Sequence, residues 1–130
     1  MAGITGLAHI GVHAYDMDAS LDFYVNKLGF ELFQSCDLGA TKLRFVRAGS
    51  CIVELISSPG DKQWPNEGVV AHIAMEVQDI RAVVAALKAK GVTFRTPDVS
   101  VIPTLFPSGS TNIFFDGPNG EALELYEFVS

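Results

Sequence analysis

Residues 8–30 read AHIGVHAYDMDASLDFYVNKLGF, in which a segment of alternating polarity is followed by one with helical periodicity. The same plan returns 63 positions later, where residues 71–92 read AHIAMEVQDIRAVVAALKAKGV. His9 and Asp16 of the first copy match His72 and Asp79 of the second without a gap. Self-similarity at a fixed period indicates a repeated supersecondary unit, so the sequence predicts a duplicated module.

Each copy also ends on a glutamate inside an apolar strand-like segment. Glu54 lies in Val-Glu-Leu and Glu124 in Leu-Glu-Leu, and Phe45 precedes Glu54 by the same nine positions that separate Phe115 from Glu124. Equivalent residues of a duplicated unit meet around a pseudo-twofold axis, so we expect two imidazoles and two carboxylates to form one divalent metal site. Its ligands would be His9, Glu54, His72 and Glu124.

Length and composition favour one domain made of two modules. The chain has 130 residues, of which 48% are hydrophobic, and this is enough for a single buried core. We expect the first module over about residues 5–57, a turn-rich linker over residues 58–68, and the second module over about residues 69–130.

Charge and hydropathy exclude several classes of partner. A net charge of −6 gives no field for phosphate groups, so nucleic acid and anionic membranes are not expected partners. No apolar run is long enough to span a bilayer, and the N-terminus lacks the features of a secretory signal. Two cysteines are too few for a disulfide framework. We therefore expect a cytoplasmic protein with a small-molecule substrate.

Periodicity predicts a β-α-β-β-β order in each module, which is an α+β fold. In the first module the strands are expected over residues 7–14, 30–35, 42–47 and 51–57, and the helix is expected to bury Leu21, Tyr24, Val25 and Leu28. In the second the strands are expected over residues 70–77, 92–95, 111–115 and 122–128, and the helix to bury Ile80, Val83, Val84 and Leu87. The proline-containing loop over residues 96–109 is expected to cover a site or an interface.

Strand alternation predicts that all four ligands face away from the helices. His9 alternates with Ile10, and Glu54 stands between Val53 and Leu55. His13 is about 13 Å further along the strand, which is too far to share the ion, so it is expected to line the pocket. The remaining carboxylates on these strands are expected to be surface charges, namely Glu76, Glu121 and Glu127.

Mixed nitrogen and oxygen donors suit Ni²⁺, Co²⁺, Mn²⁺ or Zn²⁺. Such an ion can polarise a carbonyl and stabilise an enediolate. A carboxylate beside it can move a proton between carbons. The predicted site is therefore typical of an isomerase or lyase.

These motifs resemble the vicinal oxygen chelate (VOC) superfamily, which includes glyoxalase I, methylmalonyl-CoA epimerase, extradiol dioxygenases, fosfomycin resistance proteins and bleomycin-binding proteins. The similar segments are Ala8-His9-Ile10, Leu21-Asp22-Phe23-Tyr24, Leu28-Gly29-Phe30, Asp116-Gly117-Pro118-Asn119-Gly120 and Leu123-Glu124-Leu125. The resemblance implies paired βαβββ modules in a curled mixed sheet. It also implies a homodimer, with the site built within one chain or from the first module of one chain and the second of its partner.

Glu54 makes glyoxalase I the most similar branch, because the epimerases carry glutamine there and the dioxygenases use two His and one Glu. The resemblance implies a lyase that turns the hemithioacetal of methylglyoxal and a thiol into a 2-hydroxyacyl thioester, as in methylglyoxal detoxification. By position Glu124 would be the catalytic base and Glu54 its counterpart. The short chain resembles the members that favour Ni²⁺ or Co²⁺, with Zn²⁺ and Mn²⁺ as alternatives.

Two positions depart from glyoxalase I, which has glutathione-binding arginine and asparagine where this chain has His13 and Ser58. Neutral histidine pairs with a carboxylate more weakly than a bidentate arginine does. His13 and Ser58 are therefore candidate substrate contacts for another substrate. Two alternatives stay open: an epimerase or isomerase of another 2-hydroxy or 2-keto compound, and a bleomycin-resistance-type binding protein. The second would bind by aromatic stacking, with Trp64, Phe106 and Tyr126.

Overall fold

The computed structural model describes residues 3, 7, 9–60, 72–103 and 109–128. The chain divides into two compact units, Met1–Lys62 and Gln63–Ser130. Most of the predicted linker, residues 61–68, lies outside the described residues.

The first unit is a four-stranded mixed sheet with one helical segment. Its strands are β1 (Ile10–His13), β2 (Glu31–Leu38), β3 (Thr41–Ala48) and β4 (Cys51–Ser57), in the order β1-β4-β3-β2. β1 pairs with β4 in parallel, and the other pairs are antiparallel. The helix α1 (Met17–Leu21) connects β1 to β2 and packs against β4.

The helical segment differs from the predicted regular stripe. Asp16 caps α1, since its side chain accepts a hydrogen bond of 3.0 Å from Ala19 N. From Asp22 to Lys27, however, the chain winds as a π-helix, and Leu28 N donates to the carbonyl five residues earlier, that of Phe23. The wider turn changes which side chains face the sheet. Phe23 and Tyr24 are therefore both buried, whereas Leu21, Val25 and Leu28 are only half-buried.

The second unit repeats this architecture. Its strands are β5 (Ile73–Glu76), β6 (Ser100–Ile102), β7 (Ser110–Asp116) and β8 (Ala122–Phe128), in the order β5-β8-β7-β6. β5 and β8 are parallel, and α2 (Ile80–Ala89) buries Ile80, Val84 and Leu87. The predicted α+β fold of two βαβββ modules is confirmed. Within the described residues, none of the helices has the length and apolar character required to cross a membrane.

The second strand of the second unit is not where the sequence predicted it. Residues 92–95 contribute only an isolated bridge between Phe94 and Phe115, and the paired strand is β6, inside the predicted loop. Asp98 explains the shift, because it organises a turn: its carbonyl accepts from Thr96 Oγ and its carboxylate from Val99 N. The chain extends again after that turn. Residues 104–108 of the predicted covering loop lie outside the described residues.

Strand register corrects one equivalence between the two copies. Phe45 pairs with Glu54 across β3 and β4, but the residue that pairs with Glu124 is Phe114, not Phe115. The cause is the hairpin connection, which has two residues between Ala48 and Cys51 and five between Asp116 and Ala122. Equal sequence spacing therefore selected the wrong neighbour, because Phe115 points into the core and is 0% exposed.

Two of the three predicted surface carboxylates have structural contacts. Glu127 accepts hydrogen bonds from Asp79 N at 2.5 Å and Ile80 N at 3.1 Å, so it joins β8 to the start of α2. A carboxylate is favourable at a helix N-terminus because the helix dipole is positive there. Glu121 accepts from Asn119 N inside the β7–β8 connection. Glu76 is exposed, as predicted.

Replacing Glu127 by Ala removes both hydrogen bonds to the start of α2. We expect the free energy of unfolding to fall by about 1–3 kcal/mol, as for bonds to a charged acceptor. Urea unfolding followed by circular dichroism measures this change. The matched control is Glu76→Ala, which removes an exposed charge and should change stability by less than about 0.5 kcal/mol. Equal effects of the two substitutions would show that Glu127 does not hold the helix.

The two free cysteines differ in exposure, since Cys36 is exposed and Cys51 is half-buried. Burial raises the pKa of the Cys51 thiol. A raised pKa keeps the thiol protonated, and thus unreactive, until the pH is higher.

We expect iodoacetamide to label Cys36 faster than Cys51 near neutral pH, and the labelling rate of Cys51 to approach that of Cys36 as the pH rises. Peptide mass spectrometry of Cys36→Ser and Cys51→Ser variants measures each rate; faster labelling of Cys51 at neutral pH would contradict the expectation.

Candidate metal centre

The first His–Glu pair is built by the parallel strands β1 and β4. His9 lies one residue before β1 rather than inside it, and Glu54 stands opposite Gly11 in the register. Val53 and Leu55, on either side of Glu54, are buried beneath the helical segment, so Glu54 points to the opposite face. The two side chains meet there, with His9 Nε2 at 3.3 Å from Glu54 Oε1.

The second unit forms the same pair with the same register. His72 lies one residue before β5, and Glu124 stands opposite Ala74 in β8. His72 Nε2 is 3.4 Å from Glu124 Oε1. The flanking Leu123 and Leu125 are buried in the core of this unit. The duplication predicted from the sequence therefore extends to the atoms that face each other.

A phenylalanine holds each imidazole in place. The ring of Phe45 meets that of His9 edge-to-face, with centroids 5.7 Å apart, and Phe114 meets His72 in the same way at 5.2 Å. Each phenylalanine is also the cross-strand neighbour of the glutamate. Edge-to-face packing restricts rotation of the imidazole ring. Nε2 of each histidine is therefore kept near its carboxylate.

The spacing of each pair fits two donors of one metal ion. Donor atoms about 2.1 Å from an ion lie about 3.0 Å apart at a right angle and about 3.4 Å apart at a tetrahedral angle. The observed separations of 3.3 and 3.4 Å fall in or at the end of that range. They are longer than a charge-assisted hydrogen bond, which is about 2.7–2.9 Å. The spacing within each pair is therefore compatible with two donors of one divalent cation.

Each unit by itself supplies two donors. Across the residues that the structure describes, no three His, Cys, Asp or Glu side chains form a group that could hold an ion.

The two pairs differ in how the glutamate is held. The side chain of Glu54 is 16% exposed, whereas that of Glu124 is 6% exposed. Asn112 Nδ2 donates a hydrogen bond of 2.6 Å to Glu124 Oε2. Asn112 lies two residues before Phe114, the cross-strand neighbour of Glu124. The equivalent position in the first unit, two residues before Phe45, is Leu43. The sequence analysis did not identify Asn112. It matched Phe45 with Phe115, and in that alignment Leu43 and Asn112 are not at equivalent positions.

The two candidate substrate contacts lie at the ends of strands in the first unit. His13 is exposed at the end of β1, opposite Ile56. Ser58 follows β4, and its Oγ is 2.8 Å from Thr41 Oγ. Ser58 also lines a cavity of about 480 Å³ together with Tyr15 and Lys42.

Of the candidate stacking residues, Trp64 and Phe106 lie outside the described part of the chain. Tyr126 is described, and its ring packs on Phe128 with centroids 5.1 Å apart.

Comparison with known proteins agrees with this architecture. Residues 6–125 match the model of the Glyoxalase/Bleomycin resistance protein/Dioxygenase superfamily. The chain is 32% identical to the uncharacterized protein YwkD of Bacillus subtilis (strain 168), over 95% of this chain and 98% of that protein. It is 30% identical to a probable lactoylglutathione lyase of Synechocystis, over 95% of this chain and 96% of that protein. The chain belongs to the Glyoxalase/Bleomycin resistance protein/Dioxygenase superfamily.

Solved structures include a similar glyoxalase I. The trypanothione-dependent glyoxalase I of Leishmania major has a TM-score of 0.76 and 25% sequence identity. The similarity covers 95% of this chain and 87% of that chain.

Proposed function

We propose that this protein is a metal-dependent lyase of the glyoxalase I type, which isomerises the hemithioacetal of methylglyoxal and a thiol to a 2-hydroxyacyl thioester. The observation that carries the proposal is the presence of two His–Glu pairs at equivalent positions, each with the spacing of two donors on one ion. The relative named a probable lactoylglutathione lyase and the structural similarity to a glyoxalase I support it.

The ligands of the proposed ion are His9, Glu54, His72 and Glu124. Two imidazole nitrogens and two carboxylate oxygens suit Ni²⁺ or Co²⁺, with Zn²⁺ and Mn²⁺ as alternatives. The bound ion supplies Lewis-acid stabilisation of the enediolate oxygens. The two pairs come from one chain or, in a homodimer, from two.

Glu124 is the proposed base, because it is the more buried of the two carboxylates. It takes the proton from the carbon that carries sulfur and hydroxyl and returns that proton to the neighbouring carbonyl carbon, while the hydroxyl proton passes to the oxygen of that carbonyl. The net change is an isomerisation, so no oxidant or co-substrate is consumed. Burial keeps the proton from exchanging with bulk water. Glu54 is the equivalent carboxylate of the first unit.

The identity of the thiol is the part of the proposed substrate that assays must determine. His13 and Ser58 are the proposed contacts, and neither has the charge of the arginine that glyoxalase I uses. The Leishmania major enzyme is dependent on trypanothione, which shows that members of this superfamily differ in their thiol. Assays should therefore compare glutathione with trypanothione, cysteine and coenzyme A.

Wild-type protein is expected to bind one Ni²⁺ per chain, because the two pairs share one ion. His9→Ala and His72→Ala should each weaken binding by more than the about 10- to 100-fold that changes outside the ligand set produce. Calorimetry on metal-stripped protein measures affinity and stoichiometry. The matched control is His13→Ala, which should keep the wild-type affinity for the ion. Two ions per chain, or normal binding by both ligand variants, would contradict a shared site.

Ni²⁺-loaded protein is expected to convert methylglyoxal and a thiol to the thioester. Glu124→Gln should lower kcat by about 10²- to 10⁴-fold, as for loss of a general base. The control is Glu76→Gln, an exposed carboxylate on β5 that should leave kcat unchanged.

Negative results for metal uptake or turnover distinguish the two alternative functions. Metal uptake without turnover of any hemithioacetal would exclude the proposed substrate and favour an epimerase or isomerase of another 2-hydroxy or 2-keto compound. Absence of both metal uptake and turnover would favour a bleomycin-resistance-type binding protein.

A further inference from the structure

The contact between Asn112 and Glu124 is buried and directional. Asn112 is 8% exposed, and its Nδ2 donates to Glu124 Oε2 at 2.6 Å. An ionised carboxylate only accepts hydrogen bonds, so the amide must turn its NH₂ group toward Glu124. The amide oxygen then points elsewhere, and no hydrogen-bond partner reaches Asn112 Oδ1 among the described residues.

This arrangement has a cost that the fold alone does not explain. A buried acceptor without a donor destabilises the folded state. The first unit carries Leu43 at the equivalent position, and it forms its own His–Glu pair at almost the same distance. The sheet and the pairing therefore do not need an amide at this position. Among the described residues, the side-chain amide of Asn112 donates its hydrogen bond to Glu124.

We propose that Asn112 is a positioning residue for Glu124, an inference that rests on the proposed function. Its amide holds Oε2 and thereby fixes the rotation of the carboxylate, so that Oε1 alone faces His72. One oxygen is then available both to the ion and to the substrate proton, in a fixed direction. Glu54 has Leu43 in place of the amide, so the two glutamates have different freedom and different roles.

The test compares Asn112→Leu with Ser110→Ala. Leucine is the residue of the first unit, so it suits the same strand position. Ser110 lies two residues earlier on β7 and is 0% exposed, and its Oγ makes no hydrogen bond to Glu124. Both variants remove one buried polar group, but only Asn112→Leu removes the hydrogen bond to Glu124 Oε2.

We expect Asn112→Leu to weaken Ni²⁺ binding by about 10- to 100-fold, the usual effect of losing a partner of a metal ligand. Calorimetry on metal-stripped protein measures this without any substrate. In turnover, kcat should fall while KM changes little, because the base is misoriented and the substrate contacts remain. Ser110→Ala should match the wild type in both. Asn112→Ala serves as the second variant if Asn112→Leu does not fold, as judged by circular dichroism.

A folded Asn112 variant that binds Ni²⁺ as tightly as wild type would overturn the positioning role. Equal loss of affinity in Ser110→Ala would also overturn it, because that result would be a general effect of altering β7. Wild-type protein that binds Ni²⁺ but isomerises no hemithioacetal would refute the proposed substrate alone, and the calorimetric comparison would still decide the role of Asn112. Wild-type protein that binds no divalent ion would refute both.

Discussion

The parallel pairing of the first and last strands of each unit is the constraint on which the candidate site depends. Gly11 stands opposite Glu54, and Ala74 stands opposite Glu124, so each histidine lies two residues before the position that faces its glutamate. A slip of one residue in this register would turn the glutamate into the helix-packed face. The buried residues flanking each glutamate oppose such a slip, because they would then face solvent. Core packing thus sets the position of polar atoms that do not belong to the core.

Sequence patterns predicted the features that depend on the periodicity of apolar residues. The two βαβββ modules and the face of Glu54 and Glu124 follow from apolar side chains two or three to four residues apart. The π-helix was missed because the predicted 3.6-residue stripe pairs Tyr24 with Val25 and leaves out Phe23, whereas the structure buries Phe23 and Tyr24. β6 was missed because its pairing with β7 is a non-local contact, made after a turn that Asp98 organises. Asn112 was missed for a related reason: its importance appears only when strand register decides which residues are equivalent.

The difference between Leu43 and Asn112 makes the surroundings of the two His–Glu pairs unequal, although the spacing within the pairs is almost the same. The His–Glu separations differ by only 0.1 Å, from 3.3 to 3.4 Å. What differs is the environment of the second carboxylate oxygen, which faces an amide donor in one unit only. A symmetric pair of carboxylates could exchange roles for either direction of proton transfer. An amide beside one of them removes that equivalence, because a carboxylate held by one oxygen has a single orientation for its other oxygen.

In the proposed function, metal binding and substrate recognition are separable, because different parts of a unit would supply them. The glutamates are placed by strand pairing, and the histidines pack against phenylalanine rings on the neighbouring strands. His13 and Ser58 lie at the ends of β1 and β4, where a side chain can be replaced without disturbing the sheet. Ser58 opens on a cavity with Lys42 rather than an arginine, so a different anionic or polar group could be accommodated. Under the proposed function, the ligand set would keep the enediolate chemistry while the thiol changes, so that set constrains the reaction more than it constrains the substrate.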